Sequence, residues 1–441
     1  MASPQIQNTA STGEEMHALV RKLYPICRSI TGEGVRETLR ILEQYAPIQV
    51  YEVPSGTAVF DWTVPKEWNI KEAYIKDPSG RTVVDFRQHN LHILQYSVPV
   101  RARMPLSELR EHLFTLPEQP DRIPYRTSYY REAWGFAMTH RQLSELPEGE
   151  YEVVIDSKLE PGHLTYGECR LPGRRAEEIL ISTHVCHPSL ANDNLSGIAV
   201  AAFLAGILQG REREYSYRLV FVPGLIGPVT WLAQNEAATP GIRHGLVLTC
   251  LGDPGGFTYK KSRRGDADID RAMAHVLAHD GTPYRIIDFS PVGYDERQYC
   301  SPGFNLPLGC LMRTPHGEFP EYHTSADNPD FVTAASLGGA LGLCLRVLDV
   351  LEKNRKCINL YPRCEPQLGK RGLYRTVGGT SAAYAELARL WVLNLSDGDH
   401  TLLDIAVRSG IPFEAVAEAA GELERHGLLE ALQVHDHSTK S

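Results

Sequence analysis

Apolar residues recur along this chain in four textures, and each predicts different structure. Near the start, Met16, Leu19, Val20 and Leu23 in "GEEMHALVRKLYPICRSI" share one helical face until Pro25 interrupts it. Val35, Leu39 and Leu42 repeat the pattern in "GVRETLRILEQYA". From about 50 to 100 the chain turns rich in Val, Tyr, Trp, Pro and Gly. "YEVPSGTAVFDWTVPKEWNI", "EAYIKDPSGRTVVDF" and "NLHILQYSVPV" are short alternating runs, which read as hairpins around turns such as "DPSG". From about 150 to 350 solidly apolar runs ("YEVVID", "EILIST", "YRLVFVPG", "GLVLTCLG", "LGCLMRT") alternate with helical segments such as "GIAVAAFLAGIL" and "DRAMAHVLAHDG". Strands that are apolar throughout are buried on both faces, so an α/β sheet covered by helices is expected. After "LYPRCEPQLGKRGLYRTVGG" the pattern becomes helical, and "TLLDIAVRSGIPFEAVAEAAGELERHGLLE" reads as helix, Gly-Ile-Pro turn, helix. That is the texture of a helix-turn-helix or winged helix.

The 441 residues exceed one ordinary core. The textures divide them into a disordered tail (1–12), an α/β domain (13–50 and 125–358), a β-rich insert (51–124) and a winged-helix-like domain (365–437). Composition is globular, with 42% hydrophobic and 22% charged residues. A net charge of -9 argues against a large nucleic-acid surface. The end module agrees, since Glu414, Glu418, Glu422, Glu424 and Glu430 outweigh Arg425 there, whereas a DNA-reading helix needs Lys or Arg toward phosphates. Nine cysteines without a CxxC pair fit reduced thiols. The polar start lacks a signal sequence, and no apolar run approaches the roughly 20 residues of a membrane span. A cytoplasmic protein without membrane or nucleic-acid partners is expected.

The chemistry sits at strand ends, where open α/β sheets bind ligands. His184, Cys186, His187 and Asp193 follow "EILIST"; Asp253 follows "GLVLTCLG"; His316, Glu318, Glu321 and His323 follow "LGCLMRT". Imidazoles and carboxylates suit zinc, and an aspartate can bridge two ions that activate water and polarise a carbonyl or phosphoryl oxygen. Each residue also has a plainer reading. A lone histidine at a strand end is commonly a surface or capping group, Asp193 could N-cap the helix after it, and Asp253 could serve the "GDPGG" turn.

"HVCHPSLANDNLSGIAVA", "YHTSADNPDFV" and "GYDERQYCSPGFNLPLGCL" together resemble the zinc-dependent aminopeptidases of the bacterial leucyl-aminopeptidase type over roughly 150–350. "RSITGEGVRETL", "FDWTVPKEWNI", "SPGFNLPLG" and "WVLNLSDG" resemble a family of bacterial aminopeptidase-like proteins with an inserted β domain and a C-terminal winged helix, over nearly the whole chain. The resemblance implies a mixed-sheet, zinc-exopeptidase-like α/β core. It implies His184 and Asp253 on one metal, His323 on another and Asp193 bridging, with one or two zinc ions.

Two positions depart from the pattern. Where the family has His-x-Asp, this chain has Cys186, so another group must orient His184, and His187 stands by as an extra ligand or a backbone-bonded histidine. Where the closer family has Pro-Glu-x-Ile-Gly, this chain has Pro223, Gly224, Leu225, Ile226 and Gly227, with no acid between Tyr217 and Gln234. The base is then sought elsewhere: Glu296 first, with a structural pair to Arg297 or Arg313 as its plainer role, then Glu318 and Glu321. The expected activity is hydrolysis of an amide or peptide bond in a small aminoacyl or peptidyl substrate, by a possible homo-oligomer. The alternative is a catalytically altered homologue that binds a small ligand or partner.

Overall fold

The computed structural model describes residues 9–373 and 380–432. Its largest element is an eight-stranded sheet built from Gln49–Pro54 (β1), His163–Leu171 (β2), Glu178–His184 (β3), Ser216–Val222 (β4), Ile242–Leu248 (β5), Phe257–Lys260 (β6), Tyr284–Ile287 (β7) and Leu308–Met312 (β8). The spatial order is β1-β2-β4-β3-β5-β8-β6-β7. The central strands β4, β3, β5 and β8 run parallel, whereas β1, β2 and β6 pair antiparallel, so the sheet is mixed as expected. In β3 every residue after Glu178 is buried, because helices cover both faces. The chain reverses its direction of winding at β3, so the loops after β3, β4 and β5 open on one crevice.

The expected insert differs in its borders. Its sheet has the order Thr82–Asp85, Glu67–Lys76, Glu150–Glu160, Val100–Pro105, all antiparallel. The central strand Glu150–Glu160 falls outside the 51–124 range, and β1, which overlaps that range, belongs to the large sheet. Both differences have one cause: a strand's partner is chosen by long-range pairing that local alternation does not encode. The "DPSG" hairpin forms as read, with Asp77 Oδ1 accepting from the amides of Ser79 and Arg81 at 3.0 Å each, and Gly80 at φ 84°. "NLHILQYSVPV" is instead a 3-10 turn at Asn90–His92 followed by isolated bridges. The tail is also shorter than read: residues 1–8 lie outside the described residues, and a helix already spans Thr9–Leu23.

The chain divides into two compact units, 1–267 with 283–342, and 268–282 with 343–441. The second unit contains a three-stranded antiparallel sheet with Lys356–Asn359 between Asp397–Thr401 and Leu429–Ala431. It also holds the helices Thr380–Leu395, Leu402–Ser409 and Phe413–Arg425. Thr401 and Asp404 form a reciprocal capping box, and Gly410 at φ 68° ends the helix between them and the turn. The module thus begins with a strand before residue 365, while 433–437 lie outside the described residues. The helix Asp268–Asp280 joins this unit through the pairs Arg346–Asp280 and Arg271–Asp404.

Apolar stretches run longer than expected. Ala191–Gln209 and Ala334–Lys353 have the length and composition of membrane spans, but 83% and 61% of their apolar windows are buried in the protein. Under the sheet, Arg218 lies between Glu168 Oε1 at 2.8 Å and Glu178 Oε2 at 2.6 Å, and Trp231 Nε1 donates to Glu168 Oε2 at 2.9 Å. Glu168 is 2% exposed. Arg218→Ala leaves Glu168 with the half-exposed Arg170 and Trp231 as its remaining partners, and the first unfolding transition in urea is expected to lose about 1–3 kcal/mol.

Candidate metal centre

The loop leaving β3 is pinned from beneath. The fully buried Arg28 donates from Nε to His187 O at 3.0 Å and from Nη1 to Leu23 O at 2.7 Å. Ser189 Oγ donates to Tyr24 O at 3.0 Å. Asp193 stands at the far end of this loop, in the turn that opens the helix Gly197–Gln209. Its backbone amide donates to Asp327 Oδ2 at 2.9 Å and that of Asn192 to Asp327 Oδ1 at 2.5 Å. The "DNLSG" and "HTSADNPD" segments are thereby locked together. Gly197 of the first is obligatory, because a Cβ there would lie 2.4 Å from Asn194 Oδ1 and 2.6 Å from Leu248 O.

Asp193 is fully buried, and each of its oxygens meets a histidine. His184 Nε2 lies 2.9 Å from Oδ1 and His323 Nε2 lies 3.0 Å from Oδ2; His187 Nε2 stands 3.9 Å from Oδ2. Ligand atoms of His184, His187 and Asp193 all fall within 4.8 Å of one another. Burial would raise the Asp193 pKa, but the three imidazoles hold it well below the usual carboxylate value. Burial alone would lower the His184 pKa, but the hydrogen bond and charge of Asp193 reverse this and raise it. Burial pushes the His187 pKa down to about 3 against the pull of Asp193, so His187 is neutral with a lone pair free for a metal. This donor set of imidazoles and one carboxylate fits zinc.

Asn194 takes over the orienting role left open by Cys186. Its Nδ2 lies 3.3 Å from His184 Nδ1 and 2.8 Å from Thr183 Oγ1, while Oδ1 accepts from Cys250 N at 3.2 Å. Tyr294 stacks on His184 with centroids 5.2 Å apart, and Tyr322 stacks on His323 at 3.9 Å. Cys186 Sγ accepts instead from Gly224 N at 3.1 Å and lies 3.4 Å from His187 Nδ1. Its thiol is pushed up to about 12 by burial.

Asp253 is placed apart from this cluster. Its Oδ1 accepts from Gly255 N at 2.8 Å and Thr314 Oγ1 at 2.7 Å, and its Oδ2 from Asn192 Nδ2 at 3.1 Å and Thr314 N at 3.2 Å. Four donors occupy the carboxylate in the turn role weighed from sequence. Glu296 is buried in an ion pair with Lys260 at 2.7 Å, a partner that neither Arg297 nor Arg313 provides, and it does not line the cavity described next. Glu318 pairs with Arg285 and Glu321 with Arg122.

A cavity of about 350 Å³ opens over His184, His187 and His323. Its carboxylate is Asp295, one residue before Glu296 and passed over in the sequence. Asp295 Oδ1 accepts from Leu225 N at 2.9 Å, and Oδ2 is buried without a partner. Burial raises its pKa to about 6, with His184 and the Leu225 amide pulling the other way. Leu225, at φ 64°, turns its amide toward Asp295 from the loop that lost its acid. Leu225, Cys250 and His323 are three of nine non-glycine residues with positive φ among those described, which concentrates backbone strain around the site.

A model for a domain of unknown function, DUF4910, matches residues 17–354, and a winged helix-turn-helix model matches 355–431. The chain belongs to the DUF4910 family. A Clostridium acetobutylicum protein provisionally described as a polysaccharide biosynthesis protein with an aminopeptidase-like domain is 52% identical over 425 residues, 96% of this chain and 98% of that protein. The crystal structure of a C. acetobutylicum protein provisionally described as a peptidase matches with a TM-score of 0.93 at 50% identity, covering 97% of this chain and 98% of that one. A zinc aminopeptidase from Bacillus subtilis matches with a TM-score of 0.56 at 11% identity, covering 77% and 94%. The DUF4910 chain therefore carries an aminopeptidase-like fold followed by a winged helix.

Bound zinc per chain, measured after dialysis against zinc and removal of excess, is expected to vanish in Asp193→Ala and to persist in Asp253→Ala. Zinc loss in Asp253→Ala instead would place that carboxylate on the metal.

Proposed function

We propose that this DUF4910 chain is a zinc-dependent hydrolase of an amide bond in a small aminoacyl or peptidyl substrate. The observation that carries the reading is the buried Asp193 carboxylate held between His184 and His323, two histidines that line a cavity with the unpartnered oxygen of Asp295. Relatives described as an aminopeptidase and a zinc aminopeptidase support the same direction. His184, His187, Asp193 and His323 would hold the zinc, which when bound would supply Lewis-acid polarisation of a carbonyl and of water. The remaining work falls to the chain. Asp295 is largely ionised at neutral pH, and its free Oδ2 takes the proton of the attacking water and returns it to the leaving amine. Tyr294 and Tyr322 hold the imidazoles in place by stacking, and the aromatic wall keeps bulk water from the reacting bond.

Asp295→Asn is expected to cost about 10²–10⁴ in kcat with aminoacyl amides while bound zinc is unchanged. In the wild type the rate rises with pH through about 6, because the base works ionised, and the Asn variant loses that limb. An unchanged limb in Asp295→Asn assigns the base elsewhere. Turnover that persists in metal-free, chelator-treated protein rules out the zinc reading altogether.

The second reading, a homologue that binds but does not hydrolyse, is favoured by Gly224. A Cβ at that position would lie 3.2 Å from Cys186 Sγ and 3.6 Å from His184 Cβ, so an acid there would reach the histidine cluster that now has none from this loop. If Asp295 already serves as base, Gly224→Glu leaves kcat within a few-fold of wild type. A gain of activity and bound zinc from near nothing would establish the binding-only reading instead.

A further inference from the structure

The hydrolase reading leaves one charged group in the cavity without a task. Arg297, on the short helix Glu296–Tyr299, lines the cavity beside Asp295 and Gln298. Among the described residues no hydrogen bond or ion pair holds its guanidinium, and its Nε is shut off from water without an acceptor. The protein's buried arginines, unlike the half-buried Arg297, each have a partner for part of the guanidinium. Arg28 and Arg313 bond carbonyls, Arg218 sits between Glu168 and Glu178, and Arg389 pairs with Glu422. The one carboxylate among the described residues that line the cavity, Asp295, is half engaged: Leu225 N holds its Oδ1, while its Oδ2 makes no hydrogen bond to Arg297, whose charge acts on it from a distance.

A neutral substrate filling this space would strip the remaining water from the half-buried guanidinium and give nothing back, which costs free energy. An oxyanion would satisfy it, because the planar fork of arginine matches carboxylate and phosphate oxygens in pairs. The mouth is edged by the exposed rings of Trp62 and Tyr130, 5.4 Å apart, which cover apolar ligand surface without competing for the charge.

We propose that Arg297 determines specificity by pairing with an oxyanion, a carboxylate or a phosphate, carried by the substrate beyond its scissile amide. The assignment of the amide rests on the hydrolase reading; the anion preference is a binding property and is tested without turnover. The probes are three hydrolysis-resistant ligands in which a methylene replaces the scissile carbonyl of leucylglycine, of leucylglycinamide and of leucyl-phosphoethanolamine. Calorimetry on the purified full chain compares wild type, Arg297→Gln and Arg297→Lys.

Wild type is expected to bind one of the two anionic ligands about ten- to a hundred-fold more tightly than the neutral amide. The arm with the larger gain names the anion. Arg297→Gln abolishes the gain and leaves the affinity for the neutral amide intact. Arg297→Lys, which keeps the charge without the fork, retains a smaller gain and serves if the Gln variant fails to fold. Equal affinity for all three ligands in wild type, or a preference that survives in Arg297→Gln, overturns the proposal. An Arg297-dependent preference in a protein that hydrolyses none of the parent amides would retain the anion site and discard the hydrolase reading.

Discussion

A carboxylate buried without water must be neutralised from within, and Asp193 imposes that condition on everything around it. Its two oxygens need two donors from opposite sides, so the ends of β3 and the loop after β8 must arrive at one point with His184 and His323 in register. Its backbone must be fixed as firmly, and the carboxylate of Asp327 does so through the amides of Asn192 and Asp193. Asn194 then ties the end of β3 to that of β5. Parallel strands with their carboxyl ends on one edge are the arrangement that lets these loops meet. The strand order of the sheet is thus the scaffold of one charge pair.

Chemistry at such a site depends on what remains unpaired. Most carboxylates near the cavity are engaged: Asp253 by four donors, Glu296 through Oε1 by Lys260, Glu318 by Arg285 and Glu321 by Arg122. Among the described residues that line the cavity, Asp295, Arg297 and His316 each keep a buried polar atom without a partner, and the first two carry opposite charges. Unsatisfied atoms of opposite charge, two residues apart on one turn, mark the places where a substrate can supply what the fold withholds. The loop after β4 illustrates the same exchange. It carries Gly224 where an acid is expected, yet its next amide, Leu225 N, holds Asp295 in the cavity. A carboxylate reaches the crevice from a different part of the chain.

Much of this was legible in the residues. Solid apolar runs announced the central strands, since burial on both faces forbids alternation. Asp193, His184 and His323 were marked by motif and position, and the structure brings these three together. Asp253 and Glu296 were marked by the same signals, but the structure places them elsewhere. Position after a strand puts a side chain near the crevice, whereas its direction depends on which donors the neighbouring loops offer. Thr314 and Lys260, far away in sequence, captured them. Asp295 was missed beside Glu296 because a four-residue helix turns adjacent side chains to different sides.

What the sequence determined by itself is the local part: helix and strand type, the Asp77 hairpin, the helix-turn-helix texture of the end module and the set of metal-capable residues. These follow from periodicity, caps and turn chemistry acting over a few residues. Only the tertiary structure decided which strands pair, so that Glu150–Glu160 joined the insert's sheet and Asp268–Asp280 the second unit. It also decided which carboxylates stay free. Both outcomes depend on contacts between segments separated by tens to hundreds of residues, and burial and unsatisfied charge exist only once those contacts close.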